Sequence, residues 1–471
     1  MEKLRRRGFG KHGDIDMTSG NIVGILLRFS FPLLLGNLFQ QLYNMVDTWV
    51  IGQTGETSAY AAVGSVGPII NILIGLFSGF STGACVVISQ HYGAKNQEKV
   101  TKSVHTAMVF TFFLGIVFTV IGVALSPWML QLMLQREGES AVYPFARDYL
   151  VIYFSGVLGI MIYNMGSGVL RAVGDSSRPF YFLVVSAVVN TGLDLLFVFK
   201  FHMGVRGVAW ATVIAQALSA VLTVVTLFLT RSAVRMSPRA LKIDPHILGR
   251  ILTVGLPAAL QMALTAFSNV FVQSYIAGVN GDQSSALGGW TTYSKIDQFI
   301  FLPLQSLAMA IMTFVGQNLG IGDVRRARRG THCTFLMALI ITASLIGTVE
   351  LLAPQLSAVF NNDPAVVENA TTLLRILSPF YLFCCVNQIF SASMRGTGDS
   401  KGPMILMLVA FVALRQVYLF LMSRYISNDL IPIGLSYPFG WACCATLTLL
   451  YYFFVHKRHL NARLAAIEQD A

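Results

Sequence analysis

Twelve long apolar stretches dominate this chain of 471 residues, roughly 25–52, 58–88, 103–131, 143–169, 177–199, 206–230, 250–278, 284–316, 331–355, 367–393, 403–423 and 433–455. A bilayer core takes about 20 helical residues to cross, and several of these stretches are longer, so tilt or extension past the bilayer is expected. Inside lipid every backbone N–H and C=O must be satisfied within the segment, which leaves helices as the spanning form for runs of this length. Charged residues make up 12% of the sequence, about half the usual fraction for a soluble domain, too few to cover a water-exposed surface. The expected fold is all-α and integral to the membrane.

The chain also repeats itself. Arg171-Ala172-Val173-Gly174-Asp175-Ser176-Ser177-Arg178-Pro179 returns as Arg395-Gly396-Thr397-Gly398-Asp399-Ser400-Lys401-Gly402-Pro403. Phe31-Pro32 with Asn44 matches Leu256-Pro257 with Asn269 at nearly the same separation, and Gln90 with Gly93 matches Gln317 with Gly320. A repeat of this kind predicts two six-helix lobes. Six spans return the chain to its starting side, so the lobes share orientation and are related by a pseudo-two-fold axis along the membrane normal. The expected boundaries are an N-terminal segment 1–24, an N-lobe 25–230, a linker 231–249, a C-lobe 250–455 and a tail 456–471.

The net charge of +11 is a matter of topology. Lys and Arg gather at both termini and in every second connection, among them Arg231, Arg235, Arg239 and Lys242, then Arg325, Arg326, Arg328 and Arg329. This asymmetry places both termini in the cytoplasm, with contacts to anionic lipid and no nucleic-acid role. The first residues are basic and polar without a cleavage-type apolar core, so no signal peptide is read. The six cysteines lack metal-ligand spacing and read as buried thiols. No metalloprotease, P-loop or nucleophile-elbow motif occurs, so the chain is not read as an enzyme, and energy must come from a gradient.

Acids inside the apolar stretches are the functional candidates, because an ionisable group at mid-membrane costs at least about 2.5 kcal/mol. Gln40, Tyr43 or Asn44, and Asp47 recur at helical spacing on one face, which should look at protein or a water-filled cavity, with Gln40, Tyr43 and Asn44 as candidate substrate-cavity residues. Asp194 follows Asn190 by one helical turn, and Thr212 lies in the neighbouring stretch. Two carboxylates, an amide and a hydroxyl suit a hard cation such as Na+, and equally a proton relay. Lys295, Asp297 and Arg415 read as an ion-pair set within the C-lobe, or as substrate contacts. Glu350 and Arg375 read as an interfacial salt bridge. Gly75, Gly79 and Gly83 predict close helix packing. Pro32 and Pro257 read as helix-start prolines, and as hinges if they lie deeper. The repeated Gly-Asp-Ser loop reads as a turn that fixes a helix pair.

Met17-Thr18-Ser19-Gly20-Asn21-Ile22, Phe31-Pro32, Tyr43-Asn44-Met45-Val46-Asp47, Gly93-Ala94, Arg171-Ala172-Val173-Gly174-Asp175, Asn190-Thr191-Gly192-Leu193-Asp194 and Gly316-Gln317-Asn318-Leu319-Gly320 together resemble the MATE (multidrug and toxic compound extrusion) family over nearly the whole chain. The resemblance implies two six-helix lobes around a central cleft that alternates between the membrane faces. It implies export of cationic organic compounds in exchange for H+ or Na+ across the inner membrane; a monomer is expected because the cleft lies within one chain, with no cofactor beyond the coupling ion. It further implies a cation-coupling cluster at Asp47, Asn190, Asp194 and Thr212. Acids that another branch carries in its C-lobe are missing here, which moves coupling to the N-lobe. A flippase or exporter of a lipid-linked or other metabolite is the nearest alternative, and a channel or a membrane enzyme the more distant ones.

Overall fold

The computed structural model of the chain describes residues 15–53, 56–133, 141–458 and 460–461. The expected N-terminal segment up to residue 14 and the tail beyond 461 lie outside the described residues. Helices follow the apolar stretches: α1 (Ile22–Gly52), α2 (Thr57–Gly93), α3 (Gln97–Met133), α5 (Ser177–Lys200), α6 (Gly204–Leu229), α7 (Pro245–Ala277), α8 (Gln283–Gly320), α9 (Val324–Phe360), α10 (Pro364–Thr397), α11 (Lys401–Ile426) and α12 (Leu430–His456). The remaining span, α4, is a pair, Tyr143–Ser155 and Val157–Ala172, bent by 48°. The bend falls at Gly156, where a Cβ would stand 2.7 Å from Val213 Cγ2. Counting α4 as one span, twelve helices among the described residues are long and apolar enough to cross a membrane. Large apolar side chains such as Phe113, Val120 and Trp128 of α3 are exposed, as they should be when the outer solvent is lipid.

The helices form two compact units. The first contains Phe31–Leu256 and the described residues Ile15 and Asp16. Its core runs through Val50, Ile51, Ala62, Phe77, Leu150, Phe154 and Val208, from α1, α2, α4 and α6. Gly83 brings α2 against α7 backbone to backbone: a Cβ there would lie 2.4 Å from Ile251 O and 2.6 Å from Gly255 Cα. Gly79 contributes its carbonyl to the same approach, 3.3 Å from a Cβ built on Gly255. Gly75 lies further along α2 and is half-buried.

The second unit contains Met17–Ser30 and the described residues from Pro257 onward. Val386, Phe390 and Met394 of α10 pack with Ala445 and Tyr452 of α12, and the Phe390 and Tyr452 rings meet edge to face at 4.7 Å. Met17 is fully buried here. Its N–H donates to Gln317 Oε1 (3.2 Å), and its carbonyl accepts from Asn318 Nδ2 (3.0 Å). The repeated glutamine thus ties down the segment that leads into α1.

By its internal contacts the chain divides within α1 and α7, beside Pro32 and Pro257. The 231–249 linker is docked on the first unit: Ala233 O accepts from Gln97 Nε2 (2.8 Å), and the N–H groups of Ser237 and Asp244 reach His105 Nε2 and Thr106 Oγ1, both at 3.0 Å. Pro32 and Pro257 are not at helix starts, because α1 begins at Ile22 and α7 at Pro245. Each proline therefore removes an N–H from a helix interior and opposes the carbonyl one turn before it.

The repeated loop is a tight turn in both units. Gly174 (φ +91°) and Gly398 (φ +98°) take the left-handed conformation that ends the preceding helix. Asp175 Oδ1 and Asp399 Oδ1 accept from the N–H groups of Arg178 (3.1 Å) and Gly402 (3.0 Å), capping the next helix. None of the described cysteines forms a disulfide.

Candidate functional site

In the first unit, α1, α5 and α6 bring Asp47, Asn190, Asp194 and Thr212 together. Asp194 is 0% exposed, Asn190 1%, Thr212 7% and Asp47 8%. The Asp47 carboxyl neighbours the Asp194 carboxyl and the Thr212 side chain. Thr212 gives its proton backward to Val208 O at 3.0 Å. No N–H or O–H reaches Asp47 Oδ1 or either oxygen of Asp194, and the Asn190 amide is unpartnered at both ends. Orphaned polar atoms are rare in a buried setting and call for a reason.

Local structure explains the aim of these groups. Asp194 precedes a π-helical turn at Leu196–Lys200, whose extra residue shifts the helix register just past the acid. On α1, Gln40, Tyr43 and Asp47 share a face, and Asn44 turns away and is exposed. Tyr43 hydrogen-bonds Gln40 and accepts from Gln216 Nε2 (3.4 Å). Tyr149, stacked on Tyr153 at 6.3 Å, feels the charges of Asp47 and Asp194. Sequence reasoning missed Gln216 and Tyr149. Gln216 was findable, since it sits one helical turn after Thr212, whereas an aromatic residue in an apolar run carries no such signal.

Two neighbouring buried carboxyl groups repel when both are ionised, and a cation shared between them would relieve that repulsion. The set is all oxygen: two carboxylates, the Asn190 amide oxygen and a hydroxyl. That chemistry fits a hard monovalent cation and fits a shared proton equally.

In the second unit the expected ion-pair set is corrected: Lys295, Asp297 and Arg415 are paired neither with one another nor, among the described residues, with any other ion. Lys295 Nζ lies over the Phe360 ring, 5.9 Å from its centre. Asp297 accepts from the Tyr381 hydroxyl at 2.6 Å and the Tyr293 hydroxyl at 3.3 Å. Arg415, 2% exposed, donates to Ser268 Oγ and Asn269 Oδ1, each at 2.8 Å. A π-helical turn, Val409–Leu414, lies directly before Arg415, whereas in the first unit the turn follows the acid. Glu350 is likewise not in the expected bridge to Arg375; it accepts from Ser378 Oγ at 2.7 Å. An aromatic wall surrounds Asp297, with Phe301, Tyr381 and Trp441 rings 5.4 to 6.1 Å apart, and Trp290 and Tyr437 continuing it.

Fold and site together define a class: a multi-pass helical membrane protein of two six-helix units with ionisable groups buried in each. Comparison with known proteins gives the family. The MatE family model matches residues 32–196 and again 257–421, one copy per half. The probable multidrug resistance protein YoeA of Bacillus subtilis (strain 168) is 30% identical over 93% of this chain and 94% of its own. The probable multidrug resistance protein YpnP of the same strain is 28% identical over 93% and 96%. A solved structure described as the outward-facing conformation of a multidrug resistance MATE family transporter of the MOP superfamily shares the fold, with TM-score 0.89, 22% identity, and coverage of 96% of this chain and 99% of that one. The chain belongs to the MatE family, whose members are transporters and not enzymes.

Proposed function

We propose that this chain is a secondary antiporter that exports cationic, amphipathic organic compounds in exchange for H+ or Na+. The observation that carries the reading is the Asp47–Asp194 contact, in which buried carboxyl oxygens have no donor. The names of the similar proteins support the substrate class, and the basic connections support an inner-membrane protein with both termini in the cytoplasm.

The coupling follows from elementary electrostatics. Without a cation, Asp47 and Asp194 repel, and the packing of α1 against α5 and α6 is strained. A cation neutralises the pair and favours the arrangement in which the carboxyls, Asn190 and Thr212 close together. An ion shifts a conformational equilibrium only by its difference in affinity for the two states, and here the difference is whether the oxygens converge. Substrate released when α1 closes on the cluster is thereby exchanged for the ion. On the substrate side, Asp297 among aromatic rings offers a carboxylate and π faces to an organic cation.

Ethidium efflux from pump-deficient cells tests this. Wild type should export the dye, and Asp194→Asn at equal expression should lose efflux by about tenfold or more, as expected when one interaction worth over 1.4 kcal/mol is removed. Wild-type efflux with both Asp47→Asn and Asp194→Asn would remove the cluster from the mechanism.

A further inference from the structure

One end of the second unit carries more positive charge than its own acids answer. α9 opens with Val324-Arg325-Arg326-Ala327-Arg328-Arg329, and the chain stays helical past α12 through Lys457 and Arg458. The start of a helix is a poor place for cations, because the backbone dipole is positive there. Asp323 is spent on capping α9, where it accepts from the Arg326 N–H at 2.8 Å. Asp399 is held by the Tyr451 hydroxyl, the Gly402 N–H and His456. Arg326 is engaged, donating to Gly20 O at 2.9 Å with its guanidinium 5.4 Å from the centre of the Phe314 ring. Among the described residues, Arg328, Arg329, Lys457 and Arg458 form no ion pair. The first unit answers its charge from within. At the separation of Gln90 from Gln317, Glu98 and Lys102 of α3 fall on Arg325 and Arg329. Glu98 and Lys102 pair at 2.7 Å, whereas the second unit has arginine at both places.

The two helix ends meet. Arg328 donates to the Asn461 side chain, and its Nε has no acceptor. Lys457 and Arg458 stand one helical turn before Asn461 and so share its face. Arg329, Lys457 and Arg458 are exposed. Behind them Phe335 of α9 packs on the cluster that holds Phe390 and Tyr452. The outer surface beside the cations is apolar. Phe453 and Phe454 are 48% and 61% exposed, and Lys457 Nζ lies 5.9 Å from the centre of the Phe453 ring. On α9, Leu336 and Ile340 are exposed beyond the arginines. The cations therefore sit at the rim of a lipid-facing band, where long basic side chains reach the headgroups. A soluble anion answers the charge and leaves the rings bare, whereas an anionic lipid answers both.

We propose that the ends of α9 and α12 form a binding site for an anionic phospholipid, with its phosphate on Arg328, Arg329 and Arg458 and an acyl chain along Phe453 and Phe454. A guanidinium presents paired N–H donors that match two phosphate oxygens. The general attraction of basic connections to a charged leaflet needs no fixed geometry. Here two helix ends far apart in the sequence bring cations without partner acids to one place, beside exposed rings. The site does not depend on which compound the protein transports.

Thermal melting of the purified full-length protein in nanodiscs tests this. Discs of phosphatidylcholine alone are compared with discs in which part of it is replaced by phosphatidylglycerol. The anionic lipid should raise the wild-type melting temperature by several degrees, because a ligand that binds only the folded state stabilises it. Arg329→Gln/Arg458→Gln should lose most of that rise, and Arg329→Lys/Arg458→Lys should keep part of it. In phosphatidylcholine alone, Arg329→Gln/Arg458→Gln should melt no lower than wild type, since both side chains are exposed and their removal relieves repulsion. Arg235→Gln/Arg239→Gln, which neutralises two exposed cations of the first unit, should leave the rise intact. The site is overturned if wild type shows no rise, if the rise survives Arg329→Gln/Arg458→Gln, or if Arg235→Gln/Arg239→Gln loses as much. A rise produced by soluble glycerol phosphate in phosphatidylcholine discs would assign the cations to a free anion and overturn the lipid site. If Arg329→Gln/Arg458→Gln melts below wild type even in phosphatidylcholine, the lysine variant decides: a retained rise supports the site, and a lost one refutes it.

Discussion

Asp399 and Asp175 occupy the same place in the repeated turn, yet their side chains meet different partners. Asp175 pairs with the Arg178 guanidinium at 3.3 Å. Asp399 accepts from the Tyr451 hydroxyl at 2.9 Å and faces His456 Nδ1 at 3.5 Å. Burial pushes the Asp399 carboxyl up, but His456, the Gly402 N–H and Tyr451 together hold it below its ordinary value. A depressed carboxyl stabilises the fold fully above its unfolded value of about 3.9, and that contribution is lost as pH falls through the folded value. Asp399→Asn should therefore lower the melting temperature at pH 7 through a loss of about 1 kcal/mol, and the gap to wild type should shrink below about pH 4. A gap that stays constant across this range would show that the charge of Asp399 does not matter. At this scale the sequence reveals residues whose type is anomalous. Asp47, Asp194 and Asp297 stand out because acids are costly in apolar runs. Their neutral and aromatic partners do not. Tyr381, Trp441 and Tyr437 look like ordinary packing, and the bond from Arg415 to Asn269 joins spans far apart in the chain.

At the scale of elements, hydropathy locates nearly every helix, because a span must be apolar along its whole length. It does not locate helix starts that run past the bilayer, and this is why α1 and α7 extend further toward their N-termini than the apolar stretches. Pro32 and Pro257, each already the eighth residue of its apolar stretch, are thereby set deeper still in the helix interior. A proline inside a helix costs about 3 kcal/mol through the missing hydrogen bond and the clash with the preceding turn. Both units end beside these prolines, between Ser30 and Phe31 and between Leu256 and Pro257. The weakest points of α1 and α7 thus coincide with the points where each helix passes from one unit to the other. Pro32→Ala and Pro257→Ala should each raise the melting temperature while lowering the ethidium efflux rate several-fold, because a continuous helix resists the bending that alternation demands. Wild-type efflux from both variants would exclude the prolines as hinges. The bend in α4 at Gly156 was invisible for a simpler reason: an apolar run reports burial in lipid, not direction.

The whole molecule is two copies of one plan, and the duplication was readable from the Gly-Asp turns alone. What the repeat hides is that neither unit is a continuous half of the sequence. The first unit takes the opening of α7, up to Leu256, and the second takes Met17–Ser30. In the first unit this borrowed piece is well built in. Ile251 is fully buried and Ile247 and Val254 nearly so. Gly83 admits the Ile251 carbonyl to van der Waals range. Arg250 donates to Gln90 Oε1 at 3.2 Å and meets His91 Nε2 at 2.9 Å. Removing these contacts exposes the backbone groove at Gly83 and leaves Gln90 and His91 without their guanidinium, each loss on the order of 1 kcal/mol or more. A fragment ending at residue 256 should therefore form a more stable first unit than one ending at residue 243, although both contain all six of its complete spans. Limited proteolysis and thermal melting of the two fragments in detergent measure the difference. The longer fragment should melt several degrees higher and resist cleavage within α2. Equal stability of the two would mean that the opening of α7 is attached to the first unit without helping to hold it.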